Sequence, residues 1–209
     1  PPTKVVALAH SVPVYQPVSL RNEEAVKTIA DYKPDLIVVA AYGKIVPESI
    51  LSLPKYQCLN VHPSDLPKYR GASPLQYTIW KNEKETKTSI MVMEASLDTG
   101  PIIAQSSPYP LSINETYLSL EKHLSLESAR LLQSVIEPWC NQTIKAQIQD
   151  HQKATYTKIL TKEDGKIDWA QTAQAIDCQI RALNPWPSTY TFLEQKRVKI
   201  DQSQISSAI

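Results

Sequence analysis

The run Leu36-Ile37-Val38-Val39-Ala40-Ala41 contains no polar residue. A strand with one wet face alternates apolar and polar positions, whereas an unbroken apolar run is the pattern of a parallel strand covered on both faces. The run therefore predicts a strand near the centre of a sheet, and with it a chain that alternates strands and helices.

The flanking sequence supplies that alternation. Thr3 to Ser11 has helical spacing at Val5, Val6 and Leu8, and Val12-Pro13-Val14-Tyr15 reads as a short strand ended by Pro17. Asn22, Glu23 and Glu24 suit a helix start, with Ala25 and Ile29 on one face and Pro34 as the stop. Strands are predicted at Cys58 to His62, Ser89 to Met93 and Pro101 to Ser106, and a helix from Pro74 to Trp80. Ser112-Ile113-Asn114-Glu115 fits a capping box opening a long helix, whose apolar face is Tyr117, Leu120, Leu124, Leu131 and Val135. The order predicts an α/β protein with a doubly wound, mostly parallel, Rossmann-like sheet over residues 1–140.

Residues 141–160 turn polar and lose periodicity, as expected of a linker between domains. The remaining stretch, 161–209, has a helical pattern from Ala173 to Leu183 and strand-type residues at Tyr190 to Phe192 and Val198 to Ile200. About fifty residues make a thin core, so this is expected to be part of a second domain. The chain opens on Pro1-Pro2 without Met and holds only four glycines, which predicts a longer natural protein. A net charge of +1 gives no global field for nucleic acid, so any such partner must be read from local features. The three cysteines, Cys58, Cys140 and Cys178, are far apart, and no apolar run approaches the roughly 18 to 20 residues of a membrane helix. Reduced core thiols, no membrane partner and a bacterial cytoplasmic or organelle-matrix setting are the default expectations.

Positions i and i+2 of a strand share a face, so Asn60 and His62 are expected side by side, near the strand end where such sheets open their ligand crevice. The amide and a protonated imidazole are both donors, suited to the oxyanion of an acyl-transfer intermediate. The plain alternative is that Asn60 ends a strand and His62 satisfies a turn. Asp98, in the polar turn Leu97-Asp98-Thr99-Gly100, adds a carboxylate that is expected beside His62, where it would raise the imidazole pKa. Asp-Thr-Gly also occurs in aspartic proteases, but those need a second active aspartate in an all-β protein. Asn, His and Asp without an activated Ser or Cys suggest direct transfer to an external nucleophile and no metal.

The stretches CLNVHPSDLPKYRGASPLQ and SIMVMEASLDTGPI resemble the formyltransferase family that uses 10-formyltetrahydrofolate. The resemblance implies that Asn60 and His62 polarise the formyl oxygen while Asp98 orients His62 and assists proton movement from the attacking amine. It implies that Ser64, Asp65, Leu66 and Pro67 contact the folate, although Asp65 stands where the family usually has Leu. It further implies that the loop Tyr42-Gly43-Lys44-Ile45-Val46 receives the pterin, and that Lys68 and Arg70 border the acceptor entrance.

Within the family the acceptor is methionyl-tRNA, glycinamide ribonucleotide or an amino-sugar nucleotide. Ala154-Thr155-Tyr156, Lys166-Ile167-Asp168-Trp169 and Asn184-Pro185-Trp186-Pro187 resemble the branch that acts on initiator methionyl-tRNA. This likeness implies a small OB-like β-barrel of which only the start is present, with Trp169 and Trp186 in its core, and a monomer. The family's first strand, with its Gly-Thr-Pro motif, and a basic loop are not in the sequence. Two other readings stay open: a formyltetrahydrofolate hydrolase with water in place of the amine, and a non-catalytic binding protein on the same fold.

Overall fold

The computed structural model describes residues 2–206; Pro1 and the last three residues of the 161–209 segment lie outside the described residues. The order is α1 (Pro2–Ala9), α2 (Glu23–Asp31), β1 (Ile37–Ala40), α3 (Glu48–Leu51), β2 (Cys58–His62), β3 (Arg70–Gly71), α4 (Pro74–Trp80), β4 (Glu85–Thr86) and β5 (Ser89–Val92). It continues with β6 (Ile102–Gln105), β7 (Tyr109–Pro110), α5 (Tyr117–Cys140), β8 (Tyr156–Thr157), α6 (Ala173–Leu183), β9 (Thr189–Leu193) and β10 (Lys196–Ile200).

The α/β class holds, and the detail within it differs. The main sheet has the order β1-β2-β5-β6, so the apolar run that opened the sequence reading lies at an edge among the described residues, and the centre belongs to β2 and β5. Every residue of β5 is buried, whereas β1 alternates half-buried and exposed positions. β1 pairs with β2 in parallel, but β2–β5 and β5–β6 are antiparallel, so the sheet is mixed and not mostly parallel. Two physical reasons account for this. The β5–β6 link is a short turn, and short links join only antiparallel strands. Between β2 and β5, α4 packs on α5 and α6 and supplies no crossover over the sheet face.

The long helix α5 joins two apolar cores. Its first half places Leu120 and Leu124 against Ile79 of α4, Leu160, and Ala182 and Leu183 of α6. Its second half places Val135 against Leu59, Ile90, Val92 and Ile103 of the sheet. Each fully buried leucine, isoleucine or valine among these contributes about 1.5–3 kcal/mol over leaving it exposed. The helix is capped four residues later than expected: Thr116 is the N-cap, with Ser119 completing the box. The Ser112–Glu115 pair instead closes the preceding turn, where Glu115 accepts the Ser112 N–H at 3.2 Å.

Val12 to Tyr15 forms no strand, because Pro13 and Pro17 remove ladder donors and no neighbour pairs with it. The expected cap of α2 is present: Asn22 accepts from the Ala25 N–H at 3.2 Å. Helix α6 keeps the expected bounds, and β9 and β10 pair as an antiparallel hairpin. Trp169 and Trp186, expected in a core, are 62% and 54% exposed. Trp169 hydrogen-bonds through its indole N–H to Thr191 at 2.9 Å.

Candidate active site

Asn60 and His62 project from the same face of β2, opposite Met91 and Ser89 of β5. His62 is only 4% exposed, and its Nε2 lies 3.0 Å from the Tyr69 carbonyl oxygen. A carbonyl only accepts, so Nε2 carries a proton and the ring is locked with Nδ1 turned the other way. The Tyr69 carbonyl is brought there by a tight turn over residues 62–69. In that turn Ser64 N–H donates to His62 O at 2.9 Å, Lys68 N–H to Asp65 O at 3.0 Å, and the Ser64 hydroxyl to Lys68 O at 2.7 Å.

Asp98 completes the cluster from the turn between β5 and β6. Its Oδ1 accepts from Asn60 Nδ2 at 3.3 Å, and its Oδ2 lies 3.7 Å from His62 Nδ1 while accepting the Gly71 N–H at 2.7 Å. Asp98 has φ of +50°, a left-handed conformation that Asp tolerates better than most residues. Gly100 is required in the same turn: a Cβ there would meet the Val92 carbonyl oxygen at 1.9 Å. One carboxylate thus touches the amide and faces the imidazole.

The electrostatics correct one expectation. Burial pushes the His62 pKa below its ordinary 6.5, and the neighbouring Asp98 charge and Tyr69 carbonyl oppose this without overcoming it. Asp98 acts in the expected direction, but desolvation is larger. The free protein therefore favours a neutral ring with its proton on Nε2 and a lone pair on Nδ1 near Asp98. That arrangement can take up a proton and then share it with Asp98, while Asn60 has a second amide hydrogen to offer a substrate oxygen.

The other residues singled out in the sequence fall into two groups. β1 is parallel to β2 with Ala40 opposite Val61, so the loop from Tyr42 to Val46 leaves the same sheet end as His62. In that loop Tyr42 and Ile45 are exposed, Val46 is buried, Lys44 donates to Val18 O at 3.2 Å, and nothing lies within 4 Å of a Cβ built on Gly43. Ser64 and Leu66 are buried in the turn; Leu66 N–H donates to the Ser89 hydroxyl at 3.3 Å and the Leu66–Pro67 bond is cis. Asp65 is held by Lys87 at 3.1 Å and Gln105 at 3.2 Å. A pocket of about 170 Å³ between Asp65, Lys68, Tyr69 and Glu83 includes none of Asn60, His62 and Asp98.

Lys68 is exposed and pairs with Glu83 at 3.4 Å. Arg70 does not reach the surface. It is 1% exposed and donates to Gln149 Oε1 at 2.7 and 3.1 Å, to Tyr156 Oη at 3.3 Å and to His151 Nδ1 at 3.2 Å. Gln149, the Tyr69 carbonyl and the Gly71 N–H are parts of the site that the sequence reading missed. Two act through the backbone, and the third lies in a stretch with no periodicity to mark it.

An amide donor, an imidazole and a carboxylate converging at one strand end of an α/β sheet define a class of group-transfer site assisted by proton movement. The model of the formyl transferase family matches residues 1–136, and that of the formyl transferase C-terminal domain matches residues 159–208. The chain belongs to the formyl transferase family. Methionyl-tRNA formyltransferase of Citrifermentans bemidjiense is 42% identical over 207 residues, covering 99% of this chain and 65% of that protein. The chain thus spans just under two thirds of that relative's length. A sugar N-formyltransferase from a Shewanella species superposes with a TM-score of 0.78 at 21% identity, over 100% of this chain and 82% of its own, a likeness of fold. The N-formyltransferase of Helicobacter canadensis, solved with folinic acid and dTDP-3-aminofucose, gives a TM-score of 0.61 at 26% identity, over 71% of this chain and 54% of that one.

Proposed function

We propose that this protein transfers a formyl group from 10-formyltetrahydrofolate to the amino group of initiator methionyl-tRNA, in keeping with its 42%-identical relative, a methionyl-tRNA formyltransferase. The observation that carries the proposal is the Asp98 carboxylate shared between Asn60 and His62. The residues present fit a folate donor. The 42–46 loop leaves the same sheet end as His62, with free space at Gly43, and the Asp65 charge is paired with Lys87, so its repulsion of an anionic ligand is offset.

The donor, when bound, supplies an activated formyl carbon. Asn60 donates its second amide hydrogen to the formyl oxygen, where charge develops during attack. Neutral His62 accepts the amine's proton at Nδ1, and the Asp98 charge stabilises the imidazolium so formed. The charged ring then donates toward the formyl oxygen and returns its proton to the leaving nitrogen. The acceptor is set by the C-terminal segment, and the protein works as a cytoplasmic monomer or in an organelle matrix.

The deciding experiment offers 10-formyltetrahydrofolate with methionyl-tRNA, with amino-sugar nucleotides and with no acceptor, in parallel. Formylmethionyl-tRNA is the expected product. Formylation of the sugar alone, or release of formate without an acceptor, would overturn the assignment.

A further inference from the structure

Gln149, on the polar stretch between α5 and α6, is 4% exposed and uses its whole amide. Its oxygen accepts from Arg70 Nε at 3.1 Å and Nη2 at 2.7 Å, and its nitrogen donates to the carbonyls of Asp98 at 3.0 Å and Gly100 at 2.7 Å. An amide has two donor hydrogens and two acceptor lone pairs, and all four are spent here. The partners form a closed ring. Gln149 holds the backbone of the Asp98 turn and the Arg70 side chain, and the next residue, Gly71, donates its N–H to the Asp98 carboxylate at 2.7 Å.

The ring has a reason to exist. A residue at φ of +50° is less favoured than one in the common regions, and Asp98 must hold that conformation to aim its carboxylate at two partners. Two carbonyls of the turn receive donors from one buried side chain, which fixes the backbone that carries the carboxylate. We propose that Gln149 is a positioning residue for this site, holding the Asp98 turn and the Arg70–Gly71 strand in one register so that Asp98 meets Asn60 and His62 together. Its kinetic consequence rests on the formyl-transfer reading; its effect on His62 does not.

Two variants test it. Gln149→Glu keeps an acceptor for Arg70 but has nothing to donate to the two carbonyls, and Gln149→Met removes both functions without adding charge. For Gln149→Glu, kcat should fall roughly 10-fold or more, since misplaced catalytic groups lose rate steeply, while KM for the formyl donor stays within about two-fold. A purely structural role would lower the melting temperature and leave kcat intact, which would overturn the proposal. For Gln149→Met, the His62 imidazole titration followed by NMR should move down, the same direction expected when the facing charge is removed by Asp98→Asn. An unmoved midpoint would also overturn it. Should Gln149→Met fail to fold, the kinetic split of Gln149→Glu decides; should the wild-type protein formylate no acceptor, the formyl-transfer reading falls and the NMR comparison decides alone.

Discussion

The backbone N–H of Gly71 donates to Asp98 Oδ2 at 2.7 Å, so an aspartate 27 residues further along is oriented by a glycine whose own position is tightly constrained. Gly71 has φ of +109°, and a Cβ on it would meet the Thr157 carbonyl oxygen at 2.4 Å. Gly71→Ala should therefore displace either the β3–β8 pairing or the Asp98 contact. A loss of about 1–3 kcal/mol in urea unfolding is expected, typical of forced overpacking, together with a fall in kcat. Unchanged stability and rate would mean that the strand relaxes freely.

Asn60→Ala removes the amide proposed to offer a hydrogen to the formyl oxygen. By analogy with other oxyanion donors, kcat should drop by about 10²-fold or more with KM little altered. Near-normal turnover would sink the role given to Asn60.

Burial of His62 makes stability depend on pH in a definite direction. Its folded pKa lies below the ordinary 6.5, so between the two values the unfolded chain binds more protons and stability rises with pH. The contribution is fully present above 6.5 and is lost as pH falls through the folded value. Denaturant unfolding at pH 7.5 and 5.5 should show a larger loss for the wild type than for His62→Gln; equal losses would contradict a buried neutral ring.

The cysteines should differ in reactivity. Burial pushes the Cys58 thiol up to about 11, and Cys58 and Cys178 are both buried, while Cys140 is half-buried near the end of α5. Brief alkylation of the native protein at pH 8, read by mass spectrometry, should label Cys140 first. Early modification of Cys58 would be incompatible with this core.

What the sequence disclosed follows from the range of the forces involved. The bounds of α4 and α6, and the strand carrying Asn60 and His62, depend on local spacing and terminal residues, and local pattern shows these. The approach of Asp98 to that strand was expected from chemistry and resemblance together. The edge position of β1 and the antiparallel run of β5 depend on which segments pair at a distance, and an apolar run alone does not encode this. The resemblance placed Arg70 at the acceptor entrance, and nothing local marks it as buried, because its partners Gln149, His151 and Tyr156 lie about eighty residues away. Trp169 and Trp186 identify kinship by type, yet their exposure depends on what stands beside them in space.

The pairing of β3 with β8 also sets an order of events. Arg70 and Gly71 find their strand partners only at Tyr156 and Thr157, and Arg70 N–H also donates to Thr155 O at 2.9 Å. During synthesis, a nascent chain that has emerged only through α5 already holds the sheet with Asn60, His62 and Asp98, but lacks Gln149 and the strand that seats Gly71. Contacts this distant in sequence carry a loop-closure cost and form late. The sheet can thus fold ahead of its chemistry, and a protease nick in the polar stretch after α5 would uncouple the site while leaving intact the chain that forms the buried sheet-side core of Leu59, Ile90, Val92, Ile103 and Val135.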